Sequence, residues 1–154
     1  MIRSAMILSL LPTFVSAQQA FVDKGYVQQC SSQELVGKSL PECVGQAANL
    51  CQTVPGQSTT LGITECIQEE TLIWDAFLNE QYQLRRAELA QESAELANQL
   101  REVQRAWISF RDAECGLQYS LWSGGTIRSI VYAGCVLNET AERALELRDL
   151  GKMQ

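Results

Sequence analysis

The chain has 154 residues, a formal charge of −6, six cysteines and no histidine. That length supports one hydrophobic core, and a negative field argues against nucleic acid or anionic lipid as partners and for a basic protein. Without histidine the usual general base, the Ser/His/Asp and Cys/His triads and the commonest metal ligand are missing, so enzymes rank last and neither cofactor nor metal is expected.

Met1 to Ala17 carries one positive charge at Arg3, an apolar run from Ala5 to Val15 broken by Pro12, and Val-Ser-Ala ahead of Gln18. This is the pattern of a cleavable secretory signal. The apolar run falls short of the roughly 20 residues that span a bilayer. A mature chain is expected to begin near Gln18, with no cysteine at the cut to take a lipid anchor, and to be free in the periplasm or the medium. Losing Arg3 reduces the 12 basic residues to 11 against 18 acidic ones, a net −7. In an oxidising compartment, Cys30, Cys43, Cys51, Cys66, Cys115 and Cys135 read as three disulfides. Zinc is the weaker reading, since no CxxC occurs. The expected organisation is a signal at 1–17, an N-terminal extension at 18–50 holding Cys30 and Cys43, and a helical domain at 51–154.

Gln18 to Leu40 is polar and weakly patterned, and little regular structure is expected there beyond a tether at Cys30. Pro41 suits the first turn of a helix, and Cys43, Ala47 and Cys51 follow at steps of four, predicting a short helix from Pro41 to Gln52. Cys43 and Cys51 would then stand about 12 Å apart along the axis, too far to bond. Cys30 with Cys43 is the natural local pair. Thr53 to Gly62 gathers Pro, Gly, Ser and Thr into a loop, and Thr64 is placed to cap the next helix. That helix carries Ile67, Thr71, Trp74, Phe77, Leu78 and Tyr82 on one stripe to about Ala90, with Glu65, Glu69 and Glu70 near its positive end. Glu69 and Glu70 are neighbours on a helix and point about 100° apart, so they do not make the facing carboxylate pair of glycoside chemistry.

Around Gln91 to Ala94 the stripe loses register without a Gly or Pro. Either a tight turn gives an antiparallel hairpin or one long bent helix runs from Cys66 to Ser120. The hairpin buries both stripes in one small domain and is preferred. In the second helix Leu96, Leu100, Val103, Trp107, Phe110, Leu117 and Leu121 read as the buried seam, with Glu114 a polar seat on it. Gln104, Arg105, Arg111 and Asp112 cluster on its flanks. Pairing Trp74 with about Ala113 predicts an ion pair between Asp75 and Arg111, within a polar network of Asp75, Asn79, Gln104, Arg111 and Asp112 that fixes helix register. Gly124 and Gly125 end this helix and open a connection to Gly134 that packs down on its apolar residues, leaving parts of Trp122, Arg128 or Tyr132 outward. A last helix from Val136 to Leu150 carries Leu137, Ala141, Ala144, Leu145 and Leu147 and closes at Gly151. The expected fold is all-α, a small disulfide-stapled helical bundle built on an antiparallel helical hairpin plus a C-terminal helix.

WDAFLNEQY (Trp74 to Tyr82), QRAWISFRDAEC (Gln104 to Cys115), the GGT at Gly124 to Thr126, Cys135, and Thr140 with Arg143 and Leu147 together resemble the N-terminal domain of the LprI-like lysozyme inhibitor family. The match runs from about Cys51 to Leu150, and the second motif is the specific one. The resemblance implies a small, exported, disulfide-bonded helical domain with lysozyme inhibition as its activity. Two departures stand out: there is no lipidation cysteine, so membrane tethering does not carry over, and Gln18 to Leu50 adds an extension with its own cysteines. Cys51, Cys66, Cys115 and Cys135 match the family's pattern and leave three pairings open. Antiparallel packing brings Cys66, Cys115 and Cys135 to one end of the bundle.

Resemblance, export and charge together point to a binding protein that occludes the cleft of a lysozyme-type muramidase, with no catalytic residue of its own. Trp122, Arg128 and Tyr132 on the stapled connection are the expected partner anchors, being of the types enriched at hot spots. Asp75, Asn79, Gln104, Arg111 and Asp112 are read as structural. The alternative is a periplasmic structural or adaptor protein that binds another envelope protein.

Overall fold

A computed structural model describes residues 22–33 and 40–152. Within them the chain is all-α, with five helices: α1 Lys24–Ser31, α2 Gln46–Cys51, α3 Thr60–Glu92, α4 Ala94–Leu121 and α5 Ile127–Asp149. Residues 1–17, read as a secretory signal, and the expected cleavage point lie outside the described residues.

The central element is α3, whose 33 residues make a rod about 50 Å long. It begins four residues ahead of the predicted cap. Thr59, in extended conformation, accepts from the Gly62 amide at 3.1 Å and ends the loop, while the Thr64 hydroxyl donates back to the Thr60 carbonyl at 2.7 Å. Gly62 is required here, because a Cβ would lie 2.6 Å from the Cα of Gln57. Trp74, Leu78 and Ile67 are buried along its inner face, together with Glu70.

The N-terminal extension holds more structure than its weak pattern suggests. Asp23 accepts from the Gly25 amide at 2.8 Å and starts α1, which buries Val27 and Cys30 less than one turn apart. The predicted helix from Pro41 shrinks to α2, because a turn across Glu42–Gly45 precedes it and Gly45 takes φ +86°, a left-handed conformation suited to glycine. All six cysteines are paired. Cys30–Cys43 ties α1 to this turn, Cys51–Cys66 ties α2 to α3, and Cys115–Cys135 ties α4 to α5.

Ser93 makes the hairpin. Its backbone is extended (φ −160°, ψ 131°), its amide donates to the Leu89 carbonyl at 2.8 Å, and its hydroxyl accepts from the Glu95 amide at 3.1 Å. One residue thus stops α3 and caps α4. The hydroxyls of Thr60 and Thr126 lie 3.4 Å apart, so α3 and α5 start side by side and run in parallel. The Cys115–Cys135 disulfide and the hydrogen bond from Arg143 Nε to Gln104 Oε1 (3.0 Å) hold α4 antiparallel to both.

Two further expectations differ from the structure. The connection after α4 is only Trp122–Thr126, and α5 starts at Ile127 rather than Val136. Ile130, Ala133, Leu137, Ala141, Ala144 and Leu145 keep helical spacing straight through Gly134, and packing this row on α3 outweighs the roughly 1 kcal/mol that an internal glycine costs. Small alanines on this face let α5 lie close against α3, the most extensive contact in the bundle. The predicted seam of α4 is also rotated. Its buried residues are Ala97, Leu100, Gln104 and Cys115, whereas Val103 is 51 % exposed, Phe110 56 %, Leu117 56 % and Leu121 72 %. The cause is the disulfide together with the Gln104 contact. Neighbouring helix positions point about 100° apart, so turning Gln104 and Cys115 inward turns Val103 outward.

Candidate functional site

The end of the bundle where α4 gives way to α5 gathers two tyrosines and one cation, Tyr119, Tyr132 and Arg128, with Trp122 close by in the chain. α4 stops at Trp122, whose backbone leaves the helical region (φ −99°, ψ 34°), and the chain turns through Gly124 and Gly125 before α5 begins. One helical turn before that stop, Tyr119 faces α5. The Arg128 guanidinium lies over its ring, 4.9 Å from the centroid. Tyr132 meets the same ring edge to face at 6.1 Å and 85°. Arg128 and Tyr132 are therefore not on a loop, as the sequence reading had them, but one turn apart on α5. Stacking of this kind contributes about 0.5–1 kcal/mol at a partly exposed position, and it holds rotamers that would otherwise have to be ordered on binding.

Immediately below, Cys115 and Cys135 are bonded with their Cα atoms 5.5 Å apart. The staple sits one turn from Tyr119 and one from Tyr132, which stiffens the pair of helices that carry the cluster. Trp122, 51 % exposed, stands at the rim. Leu121 and Ile127 are also exposed, and Leu61 is brought to the same end by the Thr60–Thr126 contact. Tyr119 was not foreseen; its position four residues after Cys115, on the side of the helix that the disulfide turns toward α5, was the available signal.

Acid groups line the helices beyond the cluster. The Glu139 carboxyl is held above the usual carboxylate range, first by partial burial and then by the repulsion of Glu142, Glu114 and Glu146. Of these, Glu146 is engaged by Arg143 at 2.9 Å, and Glu114 accepts from the Gln118 amide at 3.1 Å. The result is an apolar, aromatic end with a negative flank.

The residues read as a polar network form three separate contacts. Asn79 donates to Asp75 along α3 at 3.0 Å. Arg111 lies over the Trp107 ring at 5.1 Å and pairs with Asp112 at 2.8 Å. Gln104 accepts from Arg143 of α5. The ion pair predicted between Asp75 and Arg111 does not form among the described residues, because each group finds its partner on its own helix. Of the five, Gln104 alone bridges two helices among the described residues.

The buried polar anchor is instead Glu70. Its two oxygens accept from the Gly45 amide at 2.8 Å, the Ala48 amide at 2.7 Å and the Trp74 indole at 3.2 Å. Glu69 points elsewhere, accepting from the Val22 amide at 3.2 Å. The two carboxylates diverge as adjacent helix positions must, and each ties the N-terminal extension to α3. Between α1 and α3 a groove of about 910 Å³ is floored by Val27, Leu72, Ile73 and Phe77; none of the aromatic cluster lines it. No helix among the described residues is long and apolar enough to cross a membrane.

A model of the family described as "Lysozyme inhibitor LprI" matches residues 51–147, from the cysteine that ends α2 to the last turn of α5. The chain is also similar to an uncharacterized protein of Rhizobium meliloti (strain 1021), with 29 % identity over 125 residues, covering 73 % of this chain and 90 % of the relative. No solved structure matches.

Proposed function

Because the chain belongs to the LprI lysozyme inhibitor family, we propose that it acts outside the cytoplasm by binding a lysozyme-type muramidase and occluding its substrate cleft with the α4–α5 end of the bundle. The observation that carries this reading is the stacked Tyr119–Arg128–Tyr132 cluster above the Cys115–Cys135 staple, with Trp122 exposed beside it. A blunt projection enters a cleft at least cost when its side chains are already ordered. Tyr, Trp and Arg are the residue types that dominate binding energy at such contacts. The acidic flank of Glu114, Glu139, Glu142 and Glu146 supplies the long-range attraction to a basic enzyme, which raises the on-rate more than it raises affinity.

Export is supported by the three disulfides, which persist in oxidising compartments, and by the signal-like pattern at 1–17. On this reading the protein has no chemistry of its own: it needs a rigid surface, an anchor and a matching charge.

The test is residual activity of a c-type lysozyme on cell walls, titrated with the oxidised protein and repeated after reduction. Stoichiometric inhibition is expected, with loss on reduction. Trp122→Ala and Tyr132→Ala should each weaken inhibition by at least tenfold, the scale of a hot-spot truncation of about 1.4–2 kcal/mol, while leaving the melting temperature within a degree or two. Inhibition that survives both substitutions would remove the α4–α5 end as the site. Failure to inhibit c-, g- and i-type enzymes alike would move the function to another envelope protein.

A further inference from the structure

The outward stripe of α4 has no role in the cluster just described, and it is regular. Leu96, Val103, Phe110 and Leu117 recur every seven residues along about 32 Å of helix, all of them exposed. One turn beside them run Gln99, Ala106, Ala113 and Ser120, also exposed, uncharged and mostly small. A heptad row of this kind is the pattern of a helix that seats against another helix, and among the described residues none does so here.

We infer that this face of α4 is the contact for a second copy of the same chain, packed antiparallel about a two-fold axis at Ala106 and Trp107. That register lays Leu96 on the partner's Leu117 and Val103 on the partner's Phe110. Charge suits that direction. Glu95 and Glu102 flank the stripe at its start, whereas Ser109 and Gly116 occupy the same flank further on. Antiparallel packing keeps this flank on one side of the pair and sets the acidic end of each copy against the partner's uncharged end, and Glu102 is already paired with Arg101 and Arg105 on its own helix. The small residues at 106, 113 and 120 allow the two axes to approach closely. A basic enzyme gains little from an uncharged row, but a second copy supplies the matching row. The exposed side chains of the stripe with Leu121 amount to roughly 600 Å² per copy, or about 1,200 Å² in total, the lower edge of the range for stable interfaces. The dimer is therefore concentration-dependent. Its two aromatic ends would lie at opposite ends of the helix pair, roughly 45 Å apart, and both would stay free.

Sedimentation velocity of the oxidised protein over a hundredfold range of concentration tests this. The mass is expected to rise from one chain toward two. Phe110→Glu and, separately, Ala106→Arg should hold the protein at one chain throughout with an unchanged melting curve, and Trp122→Ala should leave association intact. Ala106→Arg adds bulk at the axis without removing an apolar group, so it remains informative if Phe110→Glu folds poorly. A single-chain mass at every concentration would overturn the inference, as would a dimer insensitive to both substitutions. A wild-type monomer whose Phe110→Glu variant melts well below it would mean that the chain covers the stripe itself, and would overturn the inference equally.

Discussion

At the scale of single residues, two carboxylates show how position sets the consequence of a charge. Glu70 is buried and accepts three hydrogen bonds, two of them from the buried Ala48 amide and Trp74 indole and one from the half-buried Gly45 amide. Glu70→Ala leaves those donors unsatisfied and is expected to cost about 3 kcal/mol or more in a urea or thermal unfolding measurement. Asp149 sits between Arg148 and Lys152 at the end of α5, and its hydrogen bond from Arg148 holds its carboxyl down at about 2. A depressed acid adds stability above its ordinary value near 3.8 and loses it as pH falls toward about 2. The same Arg148 donates to the Ser31 and Gln33 carbonyls, so protonating Asp149 loosens the latch on α1. Asp149→Asn should therefore flatten the fall in stability between about pH 4 and pH 2, read by melting temperature against pH. Glu139 has the opposite sign: its raised carboxyl weakens the fold as pH rises through its titration. Glu139→Gln should raise the melting temperature at pH 7 by roughly 1–2 °C and, if a basic enzyme docks nearby, slow its association at low salt.

At the scale of elements, the hairpin depends on one residue and the loop before α3 on another. Ser93→Ala removes the hydroxyl that holds the Glu95 amide and should cost about 1 kcal/mol of stability, measured by thermal unfolding. Gly62→Ala forces a Cβ into the Gln57 backbone and should cost more than a surface Gly→Ala change elsewhere. Much of this level was legible. The break near Gln91–Ala94, the stripe of Trp74 and Leu78 and the Cys30–Cys43 pair follow from spacing and reach. The start of α3 was not, because Thr59 and Thr64 are equally good caps locally and only the close approach of Gln57 selects the first. α1 was missed for a related reason: its two buried positions, Val27 and Cys30, make too short a row to signal amphipathicity without the α3 face on which they rest.

At the scale of the whole molecule, one staple ties α1 to the turn before α2, one ties α2 to α3 and one ties α4 to α5, and the third lies under the aromatic end. Replacing Cys115 and Cys135 together by Ser opens a link across 20 residues and should cost about 3 kcal/mol in the loop-entropy account. The stability loss is read by unfolding and the functional loss by lysozyme assay. Inhibition should fall further than stability alone explains, because the cluster of Tyr119, Arg128 and Tyr132 loses its common footing.

What the sequence determined by itself was the chemistry that is available: helical periods of apolar residues, six cysteines in an even set, an acidic balance, no histidine, and motifs that place the chain in its family. These are properties of local spacing and composition. What only the tertiary structure decided was which way each helix faces. The heptad row of Leu96, Val103, Phe110 and Leu117 and the inner row of Leu100, Gln104 and Cys115 are both helical stripes on α4, and periodicity cannot rank them. The Cys115–Cys135 bond and the Gln104–Arg143 contact rank them by fixing the rotation of α4 against α5. That same rotation turns Tyr119 toward Arg128 and Tyr132 and leaves an apolar row outside, so the candidate site and the candidate self-contact both arise from a long-range constraint that no window of sequence contains.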